Sequence, residues 1–193
     1  MRNSLMMALL ALLPVLVACS RQDAGHVAAV KPSAGQVVFR GGYETNPVDH
    51  GRPVGLIANA LGVAPEVFRD AFSGVNPAKG GSPSASRVSA NKQVLMEKLN
   101  PHGVTNERLD EVSNFYRYRP QAGELWSHKP ASATATISEG KVTAITIVDG
   151  GYGYSTPPEV EIAGYEDVRI EAELEFTTDL KTNGRVKALT ILE

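Results

Sequence analysis

This sequence is poor in the residues that make catalytic and metal sites easy to recognise. It has one cysteine, Cys19, in 193 residues, so no intrachain disulfide and no zinc–thiolate cluster can form. Its four histidines, His26, His50, His102 and His128, are scattered. None stands at metal-ligand spacing from another His, Asp or Glu on a recognisable element. Asp49-His50 comes closest to an acid–base pair, and its position before Gly51 reads as loop polarity. There is no Gly-x-Ser-x-Gly elbow, and Gly80-Gly81-Ser82 lacks the lysine and flanking strand of a phosphate loop. The net charge of −2 gives no bulk attraction to nucleic acid or anionic lipid. Long apolar runs are also missing: the single one, Leu5 to Val17, is shorter than the ~20 residues a spanning helix needs. No catalytic residue, metal or cofactor is expected on these grounds, and nucleic acid is not an expected partner.

What is present begins with that short run. Behind Met1-Arg2-Asn3 it fits the apolar region of a secretory signal peptide. Leu16-Val17-Ala18-Cys19 then resembles the lipobox of bacterial lipoproteins, matching at Leu16, Ala18 and Cys19. The resemblance implies that residues 1–18 are removed and that Cys19 is lipidated as the new N-terminus. It also implies a cell-envelope location, with Ser20 in place of a retention Asp pointing to the outer membrane. The membrane is then a partner through the N-terminal lipid, where two or more acyl chains hold far more firmly than one. Ordinary cleavage near Ala18 beside an incidental cysteine is the alternative.

Composition is that of a folded chain, 42% hydrophobic and 21% charged. Residues 19–35, polar and ending in Pro32-Ser33-Ala34-Gly35, read as a tether. Residues 36–129 read as a mostly helical region. Residues 36–40 suit a short extended segment, Pro53 starts a helix that Gly62 stops, and Pro65 starts another. Residues 76–86 form a loop by composition. Ser89 caps a third helix to about Leu99, and Thr105 caps a fourth with Leu109, Val112, Phe115 and Tyr116 on one face.

From Pro130 the pattern changes to period-2 alternation between turns. Ala133, Ala135 and Ile137 form one strand; Glu139-Gly140 turns into Val142–Val148. Val160 and Ile162 mark another, Val168 to Phe176 is the clearest, and Asn183-Gly184 is a hairpin-turn signal before Val186–Leu192. Gly140-Lys-Val-Thr-Ala-Ile-Thr-Ile-Val-Asp149 repeats as Gly184-Arg-Val-Lys-Ala-Leu-Thr-Ile-Leu-Glu193, about 44 residues on. Residues 130–193 therefore hold one and a half copies of a repeat. Gly150, Gly151, Gly153, Tyr154, Pro158, Val160 and Ile162 resemble a G-G-x-G-Y-x-x-x-P-x-V-x-I repeat of secreted and surface-attached bacterial proteins, uncharacterised lipoproteins among them, and of some phage structural proteins. That likeness implies a β-module and says almost nothing about chemistry.

The expected fold is α+β: a small helical N-terminal region packed on a C-terminal antiparallel β-module, sandwich-like. Candidate binding residues are aromatic. Tyr116, Tyr118 and Trp126 suit either a seam between the two parts or a peptide- or glycan-binding surface. Tyr152 and Tyr154 suit either a structural corner, with the Tyr154 ring over the hairpin and its hydroxyl on backbone, or a ligand-facing pair. The acidic stripe Glu171, Glu173, Glu175 reads as a solvated strand face rather than a cation site. The leading functional expectation is a non-enzymatic binding or structural module with a protein or glycan partner. A glycan or peptide hydrolase and a surface-assembly subunit are the alternatives. Replacing Cys19→Ala should abolish acylation and move the protein out of the membrane fraction; unchanged partitioning of that variant on cell fractionation would contradict the anchor.

Overall fold

Prolines, glycines and hydroxyl caps set the helix ends. The computed structural model describes residues 32–76 and 83–192, so the expected signal, Cys19 and the tether up to Lys31 lie outside the described residues. Helix α1 spans Val54–Leu61 between Pro53 and Gly62, and α2 spans Pro65–Ser73 with proline at its first position. Helix α4 spans Asn106–Phe115, with the Thr105 hydroxyl accepting from Arg108 N. Helix α3, Ala85–Leu99, begins a turn earlier than expected, because Ser84 rather than Ser89 is its cap. Its first turns are exposed on every side, so no apolar periodicity marked them. Leu56, Ala58 and Ala60 of α1, Phe68 and Ala71 of α2, Leu99 of α3, and Leu109 and Val112 of α4 bury one shared core. No helix among the described residues is long and apolar enough to cross a membrane.

Among the described residues six strands follow the alternation pattern: β1 Val37–Arg40, β2 Ser132–Ser138, β3 Lys141–Asp149, β4 Glu159–Ile162, β5 Arg169–Glu175 and β6 Arg185–Leu192. They pair as three two-stranded antiparallel ladders, β1 with β4, β2 with β3, and β5 with β6. The fold is thus α+β, with helices mainly in the N-terminal half and strands mainly in the C-terminal half. The ladders enclose a second core of Ala131, Tyr154, Val160, Ala172 and Val186, flanked by Phe39, Ile147, Ile170 and Leu189. Strand β3 lies beside β6, and Val186 N donates to Gly150 O at 2.9 Å, so the start of β6 is not a free edge.

Pairing extends the internal repeat beyond what its sequence showed. The β5/β6 hairpin copies one of the two irregularities of β2/β3: the register shifts between Thr136 and Ile137 in one and between Glu173 and Leu174 in the other, while the shift between Ser132 and Ala133 has no counterpart. Strand β1 matches β4, since each runs into Gly-Tyr-Glu, at 42–44 and 164–166. Gly42 (φ 86°) and Gly164 (φ 83°) take the left-handed conformation that glycine favours. In both turns the glycine N–H donates to the carboxylate two residues on, at 3.1 and 2.9 Å. The β1/β4 ladder has the matching symmetry, Val37↔Ile162 mirroring Arg40↔Glu159. The strands therefore form two copies of strand, Gly-Tyr-Glu turn and hairpin, where the sequence showed one and a half. The first copy is opened after its turn by the helices, which hid β1 from a search for contiguous repeats. The second carries a long hairpin loop, residues 176–184, where the first has only Glu139-Gly140.

Asn183-Gly184 is accordingly not a two-residue hairpin turn. Asn183 ends the long loop with its side chain 0% exposed. Its Nδ2 donates to Leu56 O of α1 at 2.7 Å and to the Tyr116 hydroxyl at 2.8 Å, and its Oδ1 accepts from Thr177 N at 3.2 Å. Only an amide offers two donors and an acceptor in so small a volume. Gly184 (φ 68°) permits the approach: a Cβ there would lie 2.3 Å from Tyr154 O and 2.6 Å from Leu56 Cδ2. Arg108 adds a second tie, reaching both Ala60 O, at 2.7 Å, and Thr178 O of the loop. Asn183→Ala would remove two buried hydrogen bonds, to Leu56 O and the Tyr116 hydroxyl, and a part-buried one from Thr177 N, so urea unfolding should show a loss of about 3 kcal/mol at nearly unchanged m-value. A loss below about 0.5 kcal/mol would contradict the role given to this side chain.

Candidate functional site

The five aromatic candidates do not form one surface. Trp126 is 2% exposed, and its Nε1 donates to Gly153 O at 2.8 Å. Tyr154 is 1% exposed; its ring stacks on Tyr43 (5.2 Å between centroids, 13° between planes) and its hydroxyl accepts from Ala131 N at 2.9 Å. Burial also pushes the Tyr116 hydroxyl up to about 12, and Tyr43 well above the usual tyrosine range. Trp126 meets Tyr43 and Tyr118 edge-on, at 6.2 and 5.4 Å, where the helices adjoin the strands. Trp126 and Tyr154 are therefore internal to the seam. Tyr116 is buried at a cleft wall, and Tyr118 and Tyr152 are half-buried.

Tyr152 belongs to a separate place. Lys181 Nζ donates to its hydroxyl at 3.1 Å and lies over the Tyr152 and Phe115 rings at 4.8 and 5.0 Å. That hydrogen bond is the main reason the Tyr152 hydroxyl sits below the usual tyrosine range. Beside it, Arg108, Phe115, Leu180 and Lys181 line a shallow groove of about 710 Å³. Of its charged groups, Arg108 holds Glu111, and the Asp179 carboxylate accepts from the Lys181 backbone N–H at 2.8 Å.

Tyr116 and Tyr118 line a different cleft, in the helical layer. It has two lobes, of about 340 and 400 Å³, which share Arg52, Phe68 and Phe72. The Arg52 guanidinium lies 4.1 Å above the Phe72 ring and stands where the lobes meet. One lobe adds Val48, Val54 and Val75; the other adds Ile57, Tyr118 and Arg117. Tyr118 is fixed at the rim by its hydroxyl, which donates to Gly51 O.

The cleft contains one buried carboxylate, Asp49, 5% exposed. Arg69 grips it with a two-pronged fork, Nε to Oδ1 at 2.8 Å and Nη2 to Oδ2 at 3.0 Å. Both oxygens are thus occupied. His50 is exposed, in a left-handed backbone conformation, and no hydrogen bond joins it to Asp49. Asp49-His50 is no acid–base dyad in this geometry.

Compared with known proteins, the chain matches no protein-family model, no curated protein and no solved structure.

The remaining sequence candidates have plain structural places. On the acidic stripe, Glu173 pairs across the ladder with Lys187 at 3.2 Å, and Glu175 with Arg185 at 2.6 Å. Among the described residues no cluster of three or more His, Cys, Asp or Glu is placed to hold a metal. Sequence reasoning passed over Arg52, Arg69 and Phe72. Phe72 stands on α2 with Phe68, at the four-residue spacing of an apolar helix face, which signals core rather than a cleft wall. Arg52 carries no signal, since nothing in a lone loop arginine shows that a ring two elements away will sit beneath it.

Proposed function

We propose that this chain is a lipid-anchored protein of the bacterial envelope, held in the outer membrane through Cys19, that acts as a non-enzymatic binding module. The observation that carries the binding part is the two-lobed cleft. Its walls are apolar and aromatic, its volume suits a small ligand or a few side chains, and a small number of polar groups converge on it. The anchor rests on the signal-like N-terminus. The secreted β-repeat likeness is consistent with a displayed module.

The hydrolase reading has weaker support. Retaining or inverting glycoside hydrolysis needs two carboxyl groups facing open space. The buried carboxylate of the cleft is locked onto Arg69, and the carboxylates of the junction groove are tied to Arg108 and to backbone. A surface-assembly subunit would need an open strand edge, and at the start of β6 Val186 N is already bonded to Gly150 O, just past β3.

Ser113 borders the cleft and is exposed, so Ser113→Trp would obstruct it without touching the core. A low-molecular-weight extract of bacterial envelopes should raise the thermal midpoint of the wild-type chain and not of Ser113→Trp, because a ligand stabilises only the form that binds it. Peptidoglycan and peptide substrates should be recovered unchanged. Turnover of either by wild type, abolished in Ser113→Trp, would replace this reading with the enzymatic one.

A further inference from the structure

Arginine pairing distinguishes the cleft from the rest of the molecule. Arg40 pairs with Glu161, Arg69 with Asp49, Arg108 with Glu111, Arg119 with Glu124, and Arg185 with Glu175. Arg52 and Arg117, which line the same lobe, have no carboxylate partner among the described residues. Arg87 and Arg169 are also unpaired, but they are exposed on α3 and β5 and line no cavity described above.

Arg52 is half-buried against Phe72, and its side chain donates a single described hydrogen bond, Nη1 to Asp49 O at 2.8 Å. A guanidinium carries five N–H donors in a flat fork, and that one bond engages only part of them. The nearest carboxylates cannot engage the others. Asp49 is held by both prongs of Arg69, and Glu66 reaches the same arginine. The cleft therefore keeps two uncompensated positive charges in a chain whose net charge is −2. Beneath them lie Ile57, Phe68 and Phe72, which offer apolar and aromatic contact and no acceptor for a guanidinium.

From this we infer that the ligand is an apolar anion, a carboxylate carried on an aromatic or aliphatic body, with the carboxylate on Arg52 and Arg117 and the body in the flanking lobes. The inference rests on the binding reading above and gives it a ligand class. A planar carboxylate matches the guanidinium fork in two parallel hydrogen bonds, which an ammonium or a neutral amide does not. The two lobes on either side of Arg52 accept apolar groups flanking the charge. That chemistry has two sources, a free organic acid or an acidic residue between apolar neighbours in a peptide.

Calorimetric titration of the full chain separates them. The probes are phenylbutyrate against phenylbutyramide, and acetyl-Phe-Glu-Leu-amide against its Gln counterpart. At least one acid should bind tenfold or more tightly than its neutral partner, and the acid that binds more tightly names the source. Arg117→Gln should weaken that acid about tenfold and leave the neutral compound unchanged. Arg117 is exposed and its side chain makes no described bond, so the substitution spares the fold. Arg52→Lys should weaken it as well, because the charge stays and the fork is lost. Equal binding of acid and amide, or full acid affinity in Arg117→Gln, would overturn the anion inference while leaving a binding cleft. No binding of any probe, together with no effect of Ser113→Trp in the extract experiment, would remove the cleft reading itself.

Discussion

The buried amide of Asn183 is the contact on which the rest of the architecture depends. It is fully enclosed, and all three of its polar capacities are used, on α1, on the residue that ends α4, and on its own loop. The backbone carbonyl of Asn183 accepts from Gly153 N, while the neighbouring Gly184 carbonyl accepts from Tyr154 N. One short stretch of chain thus holds the helical core on one side and the glycine-rich crossing before β4 on the other. A buried polar group is costly when unpaired and directional when paired. Hydrophobic contact alone would allow the layers to slide; this node fixes their register.

The two interruptions of the duplicated strand unit explain how such a node arises. The first copy is split after its Gly-Tyr-Glu turn by the helices, and the second is extended at its hairpin tip by the loop that ends in Asn183. The two insertions meet each other. Leu180 of the loop joins the helical core, Arg108 of α4 reaches Thr178 O, and Trp126 returns from the helices to bond Gly153 O. The strand units supply a scaffold with two interrupted positions, and the seam is built from what interrupts them. The cleft lies farther out, between α1, α2 and the residues after α4. Within it, Arg52 and Arg117 have no carboxylate partner among the described residues.

Much of the fold was legible in the sequence, and the gaps have physical causes. Pro53, Gly62, Pro65 and Thr105 mark helix ends because proline geometry and hydroxyl capping act locally. The alternation at Ala133–Ile137 and Val168–Phe176 marks strands for the same reason. The start of α3 was missed because an exposed turn carries no apolar period. Asn183-Gly184 was misread because its dipeptide favours a tight turn, while the space around it is set by Leu56 and Tyr154, distant in sequence. The aromatic candidates illustrate the same limit: composition identified Trp126 and Tyr154 as rings of consequence and could not say that both face inward. Pairing of Arg69 with Asp49, and the lack of it for Arg52 and Arg117, depends on tertiary neighbours throughout.

The 176–184 loop makes the helices and strands one cooperative unit. Trp126, the only tryptophan, sits at their seam, so its fluorescence reports that seam while far-UV circular dichroism reports the elements themselves. In urea the two signals should trace one coincident transition for the full chain, as expected for a two-state unit. Closing β5 to β6 with Glu-Gly, as β2 closes to β3, should separate them, with the fluorescence change at lower urea. A single unshifted transition after that replacement would contradict the account.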